Sequence, residues 1–149
     1  MRKFVVTAAV LGFAALGLAL PATVAQAAES VVAGPVCDSK WGARNGMFYA
    51  WDLPDCQGEL LIATSGNNPD WGDAGNRASS FMIRGYTGGR DHVALYDGVN
   101  YSGGYACLAP GGLYADNLTD NRLSSGILAD NTISSHQWVT RNACPAFLT

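Results

Sequence analysis

Few side chains in this sequence are able to do covalent chemistry, and their spacing argues against catalysis. The two histidines, His92 and His136, lie in no His-Glu-x-x-His or comparable metal-binding pattern. No Gly-x-Ser-x-Gly elbow occurs, so the many serines read as turn and strand residues. Asp52 with Asp55, or Asp70 with Asp73, are close enough in sequence to pair as acid and base. The turn-rich segments around them favour solvated carboxylates instead, and the chain reads as a non-enzyme. What does recur is Asn-x-x-Ser-Ser before a strand-like run, at Asn76, Ser79 and Ser80 and again at Asn131, Ser134 and Ser135. Asn and Ser in such a place satisfy backbone groups where a loop folds onto a strand. Trp71 stands in the polar stretch from Ser65 to Asn76. It offers an anchor on the interaction surface for a sugar or protein partner, or else a cap for its own core.

Cys37, Cys56, Cys107 and Cys144 are the four cysteines. With no Cys-x-x-Cys pair and no nearby His, they read as two disulfides of an exported chain rather than as a metal site. Three pairings are open. Cys37 with Cys56 and Cys107 with Cys144 is favoured, because the early and late halves look like separate units.

The N-terminus supports export. Arg2 and Lys3, an apolar run from Phe4 to Leu20, Pro21 and the small residues ending Ala25-Gln26-Ala27 follow the plan of a signal peptide over residues 1–27. The Ala-x-Ala site, and the lack of a positive flank after the run, argue against a retained anchor. A secreted, extracellular protein starting at Ala28 and free of the membrane is expected. Residues 28–149 suffice for one domain with a single core. That segment keeps seven Lys or Arg against twelve Asp or Glu. An acidic surface without a basic cluster repels phosphate backbones, which excludes nucleic acid as a partner.

The elements that must position these residues are short strands. No long apolar pattern of helical period appears, while Gly, Asn, Asp and Ser recur between runs of strand type. The expected strands are Gly46–Asp52, Glu59–Ala63, Ser79–Arg84, His92–Tyr96, Tyr105–Leu108 and Ile133–Thr140. Trp51, Cys56 and Gly58 repeat as Tyr96, Tyr101 and Gly103, 45 residues later. Each copy opens a unit of strand, turn, Gly, strand, loop and Ser-Ser strand. Counting on by the same interval from Asn76 lands on Asn121 in "DNRLSSG", yet "DNTISSHQW" is the better strand because Ile133 and Gln137-Trp138-Val139 can enter a core. "YADNLTDNRLSSGIL", including Asn117 to Gly126, then reads as an insertion.

Tyr96-x4-Tyr101-x-Gly103, the two Asn-x-x-Ser-Ser strands and their duplication resemble βγ-crystallin Greek-key motifs. With the signal segment, the few cysteines and the closing "NTISSHQW", the chain is similar to the secreted bacterial peptidase inhibitor family typified by the Streptomyces metalloproteinase inhibitor. The resemblance spans roughly Cys37 to Cys144. It implies an all-β, βγ-crystallin-like Greek-key sandwich built from two related motifs, about 37–90 and 91–144. Cys56 departs from the pattern by occupying the second aromatic position, where a disulfide would have to replace the ring. The resemblance also implies a calcium site made of Asp130, Asn131 and Ser134 with Asn76 and Ser79. Gly75 stands where the first half-site needs an acid or amide, so binding is expected to be weak and no cofactor is required. The function implied is reversible inhibition of an extracellular peptidase, most readily a metalloprotease, by a monomer. The alternative is a calcium-responsive or cell-surface binding module without inhibitory activity.

Overall fold

Alternation decides which way each strand faces. In β1 (Met47–Leu53) Phe48 and Ala50 point to one side and Tyr49 and Trp51 to the other, and in β4 (His92–Tyr96) Val93 and Leu95 oppose Ala94 and Tyr96. The computed structural model describes residues 34–149. The expected signal segment, 1–27, and the expected start at Ala28 lie outside the described residues.

The remaining strands are β2 (Gln57–Thr64), β3 (Ser80–Arg84), β5 (Tyr105–Leu108), β6 (Tyr114–Ala115) and β7 (Ser135–Val139). All pairings between them are antiparallel, in a first sheet of order β2-β1-β3-β6 and a second of order β5-β4-β7. The inward sides of the two sheets form the main core, with Phe48, Phe81 and Ile83 from the first and Val93, Leu95 and Leu108 from the second.

The second unit lends a strand to the first sheet, and the first unit reaches the second sheet by a single bridge. β6 follows β5 in the chain but pairs with β3, and Asn68, from the first unit, forms a bridge with His136 on β7. Two stretches of the chain therefore differ from expectation. The segment beginning at Tyr114 is no insertion: β6 completes the first sheet, and Leu118 and Leu123 are buried in the core. Before β1 lies a helix, α1 (Pro35–Lys40), which local pattern does not announce because it is six residues long. Distant groups hold it. The Asp55 carboxylate accepts from the Val36 and Cys37 backbone N–H groups, and Tyr114 donates its hydroxyl to Asp38 Oδ1 at 2.6 Å.

Disulfides join Cys37 to Cys56 and Cys107 to Cys144. The first sits with Trp51 and Met82 on the outer side of the first sheet, where it occupies the place that Tyr101 fills beside Tyr96 in the second unit. Two disulfides, the first fully buried, fit an oxidising environment.

Candidate functional site

The repeated hairpins come first, because they set the loops. In each, two residues adopt the left-handed region, Asp55 and Cys56 in one and Asn100 and Tyr101 in the other. Gly58 and Gly103 follow, with φ of 74° and 81°. A Cβ at either would collide with the carboxylate of Asp52 or Asp97, so glycine is required twice over. The second serine of each pair ties the hairpin down. Ser80 Oγ donates to Leu53 O at 2.7 Å and accepts from Cys56 N at 2.9 Å; Ser135 Oγ donates to Gly98 O at 2.6 Å and accepts from Tyr101 N at 3.1 Å.

The two Asn-bearing loops cross one another with approximate two-fold exchange. Asn76 N donates to Ile133 O at 2.8 Å and Asn131 N to Ala78 O at 2.9 Å, both asparagines being left-handed. The structure thus brings Asn76, Ser79, Asp130, Asn131 and Ser134 to one seam, though mostly through backbone. Ser134 Oγ lies 3.3 Å from Asn76 Oδ1, to which it donates. Asp130 Oδ2 accepts from Asn131 Nδ2 at 3.0 Å, while Asp130 Oδ1 is buried and has no hydrogen-bond partner among the described residues. At the other end Gly75 supplies no side chain, and a Cβ built there would lie 3.9 Å from Ser134 Oγ. By the exchange, Asp130 stands to Ser79 as Gly75 stands to Ser134. The Asp130 end therefore offers a hard cation a single carboxylate and the Gly75 end offers none.

Trp71 is not a surface anchor. It is 5% exposed, packs against Phe48 and Phe81, and donates Nε1–H to His136 Nδ1 at 2.8 Å. That bond fixes the His136 tautomer: Nδ1 accepts, and Nε2–H donates to Gly66 O at 3.1 Å. Burial holds His136 well below the ordinary range, at about 4, although the Gly66 carbonyl opposes the shift. The core-cap reading of Trp71 thus holds, while its partner His136, on a strand distant in the chain, had no local signal.

Three of the four aspartates that invited an acid and base reading serve the backbone. Asp52 accepts from Glu59 N, Asp55 from Val36 N, and Asp70 from Gly72 N at 2.8 Å. His92 pairs with Asp91 at 2.6 Å and stacks edge-on to Phe147.

Two exposed features stand out instead. One is the hairpin from Arg122 to Leu128, whose ends form an antiparallel bridge. Leu123 N donates to Ile127 O at 2.9 Å, Gly126 N to Leu123 O at 2.8 Å, and Arg122 Nη1 to Gly126 O at 2.7 Å. Ser124 is bonded to Tyr105 of β5 through both N and Oγ. Its returning arm carries Ile127 and Leu128, 50% and 40% exposed. The other is a cleft of about 310 Å³ on the outer side of the first sheet, lined by Lys40, Tyr49, Trp51, Leu60, Met82 and Arg84. The sequence signalled the first only as part of an insertion, and the second not at all, because α1 makes one of its walls.

Comparison with known proteins was informative for structure alone. No protein-family model matches the chain, and no curated protein does. A structure from a study of the evolution of the eye lens βγ-crystallin domain fold aligns with TM-score 0.50 at 17% identity, over 64% of this chain and 86% of that one. The fold is that of a βγ-crystallin domain. A βγ-crystallin from an archaeon aligns at 21% identity and TM-score 0.47, covering 62% of this chain and 96% of its own. One from Ciona intestinalis aligns at 18% and 0.46, over 62% and 98%.

Proposed function

We propose that the protein is an exported, non-catalytic βγ-crystallin-fold inhibitor that acts as a monomer on an extracellular peptidase, with metalloproteases the class indicated by the sequence resemblance. The observation that carries this reading is the Arg122–Leu128 hairpin. An inhibitory segment must enter a cleft with apolar side chains and hold its shape there, since a loop already ordered loses little entropy on binding. Ile127 and Leu128, on the returning arm of the hairpin, supply the exposed apolar side chains. The cross-loop bonds, the two bonds to Tyr105 and the buried Leu123 and Ala129 on either side supply the rigidity. Reversible binding follows from a segment that contacts the enzyme without reacting.

Titrating residues 28–149 against thermolysin-like, subtilisin-like and papain-like peptidases tests this. We expect inhibition of at least one, weakened by about 2 kcal/mol in an Ile127→Ala, Leu128→Ala variant whose melting temperature stays within a few degrees of the parent. Absence of inhibition at about micromolar protein in all three arms overturns the reading. The calcium-responsive alternative has one observation in its favour, the unpartnered buried oxygen of Asp130.

A further inference from the structure

The cleft on the first sheet joins three things that sequence order keeps apart. Its floor is aromatic and apolar: Tyr49 and Trp51 stack at 5.8 Å between centroids, and Met82 is buried beside them. Its walls carry two cations. Lys40 Nζ lies 5.2 Å from the Trp51 ring and donates to Cys56 O, while the Arg84 guanidinium lies 5.9 Å from the Tyr49 ring and donates from Nε and Nη2 to Ala43 O. Neither makes an ion pair with a carboxylate among the described residues. Lys40 keeps two N–H donors and Arg84 three beyond those bonds. On a chain with a formal charge of −3, two cations facing an aromatic floor without an acidic partner define where an anion is welcome.

Beside the cleft lies Leu60 of β2, which is 49% exposed. β2 is the edge strand of its sheet, and its outer side pairs with no strand among the described residues. An unpaired edge offers main-chain hydrogen bonds to an extended segment.

We propose that this cleft binds the C-terminal residue of an extended partner peptide. The terminal carboxylate is held by Lys40 and Arg84, the last apolar side chain rests on Tyr49 and Trp51, and the preceding residues run along β2. Both the side chain and the charge of such a residue are matched, which a neutral apolar ligand or a bare anion does not achieve. The site is separate from the Arg122–Leu128 hairpin, which is bonded to the second sheet, so the two proposals fail independently.

Fluorescently labelled hexapeptides ending in Leu or Phe, each as the free acid and as the C-terminal amide, are titrated by anisotropy, with N-acetyl-leucine as competitor. The free acids should bind about tenfold or more tightly than the amides. Lys40→Met and Arg84→Met should each cost about tenfold, with Lys40→Arg and Arg84→Lys retaining most of the affinity. Equal affinity of acid and amide, or no saturation by about 1 mM peptide, overturns the proposal. So does unchanged binding by the two Met variants. N-acetyl-leucine competing as tightly as the hexapeptides removes the role given to β2. The contrast of acid with amide is made on the unaltered protein, so the outcome does not depend on any variant folding.

Discussion

The outer sides of the two sheets are finished by opposite ends of the described chain, each through a disulfide, yet the results differ. On the first sheet Cys37–Cys56 pins α1 over Trp51 and Met82, leaving the edge of β2 unpaired among the described residues and a cleft beside it. On the second, Cys107–Cys144 brings the last residues alongside the edge strand β5. Cys107 N donates to Ala146 O and Leu148 N to Cys107 O, both at 2.9 Å, and Leu148 enters the main core. A helix covers a face and leaves an edge, whereas an extended segment closes an edge and can still drop a side chain inward. The duplicated unit thus becomes asymmetric: one sheet is sealed, and the other keeps the surface where a partner strand can add.

Removing the disulfides separately is the strongest way to break that comparison. Closing loops of 37 and 19 residues, the second-sheet and first-sheet bonds are expected to contribute about 4 and about 3 kcal/mol. Loss of Cys107–Cys144 should cost more still, because Leu148 is anchored through it. Denaturant unfolding of Cys107→Ala, Cys144→Ala against Cys37→Ala, Cys56→Ala measures the difference. A larger loss in the first-sheet variant contradicts the assignment of sealed and open sides.

The seam between the sheets adds a pH test. His136 titrates near 4 in the fold against 6.5 ordinarily, so its contribution is complete above about pH 6.5, where the ring is neutral in both states. As pH falls from about 6.5 toward about 4, the unfolded chain takes up a proton that the buried ring refuses, and on the order of 3 kcal/mol is lost. Melting scans from pH 7 to 4 should show a shallower decline for His136→Gln than for the parent. Parallel declines would remove His136 as the cause.

Calcium gives the smallest effect. With one carboxylate at the Asp130 end, binding should be no tighter than about 10⁻⁴ M, and 1 mM calcium should stabilise the fold by at most about 1.4 kcal/mol. Calorimetry of the parent and of Asp130→Asn decides this, and a micromolar constant lost with Asp130 would show that the Gly75 end contributes after all.

How much of this was legible before the fold is clearest at particular residues. The spacing Trp51, Cys56, Gly58 and Tyr96, Tyr101, Gly103 marked both hairpins, because a tight turn needs its glycine at one offset whatever lies elsewhere. The choice of the later Ser-Ser run as a strand matches β7, since His136 and Trp138 face the main core there, with Ser135 and Val139 on the other side, as strand alternation requires. Of the two readings open for Trp71 the core cap holds and the surface anchor does not, and its histidine partner 65 positions away had no local signal. The supposed insertion misled for the same reason: a two-residue strand such as β6 has almost no local pattern and exists only because β3 pairs with it.

By itself the sequence determined the all-β class, the duplication, the hairpin corners and the residues of the crossed loops, since these follow from short-range rules of alternation and of turns with positive φ. Tertiary structure alone decided which sheet each third strand joins, that Trp71 is buried and that α1 exists. It also decided that Lys40, beside Trp51, and Arg84, beside Tyr49, line one cleft. Each of those depends on groups far apart in the chain, whose meeting is set by burial and hydrogen bonding summed over the whole domain rather than by any local preference.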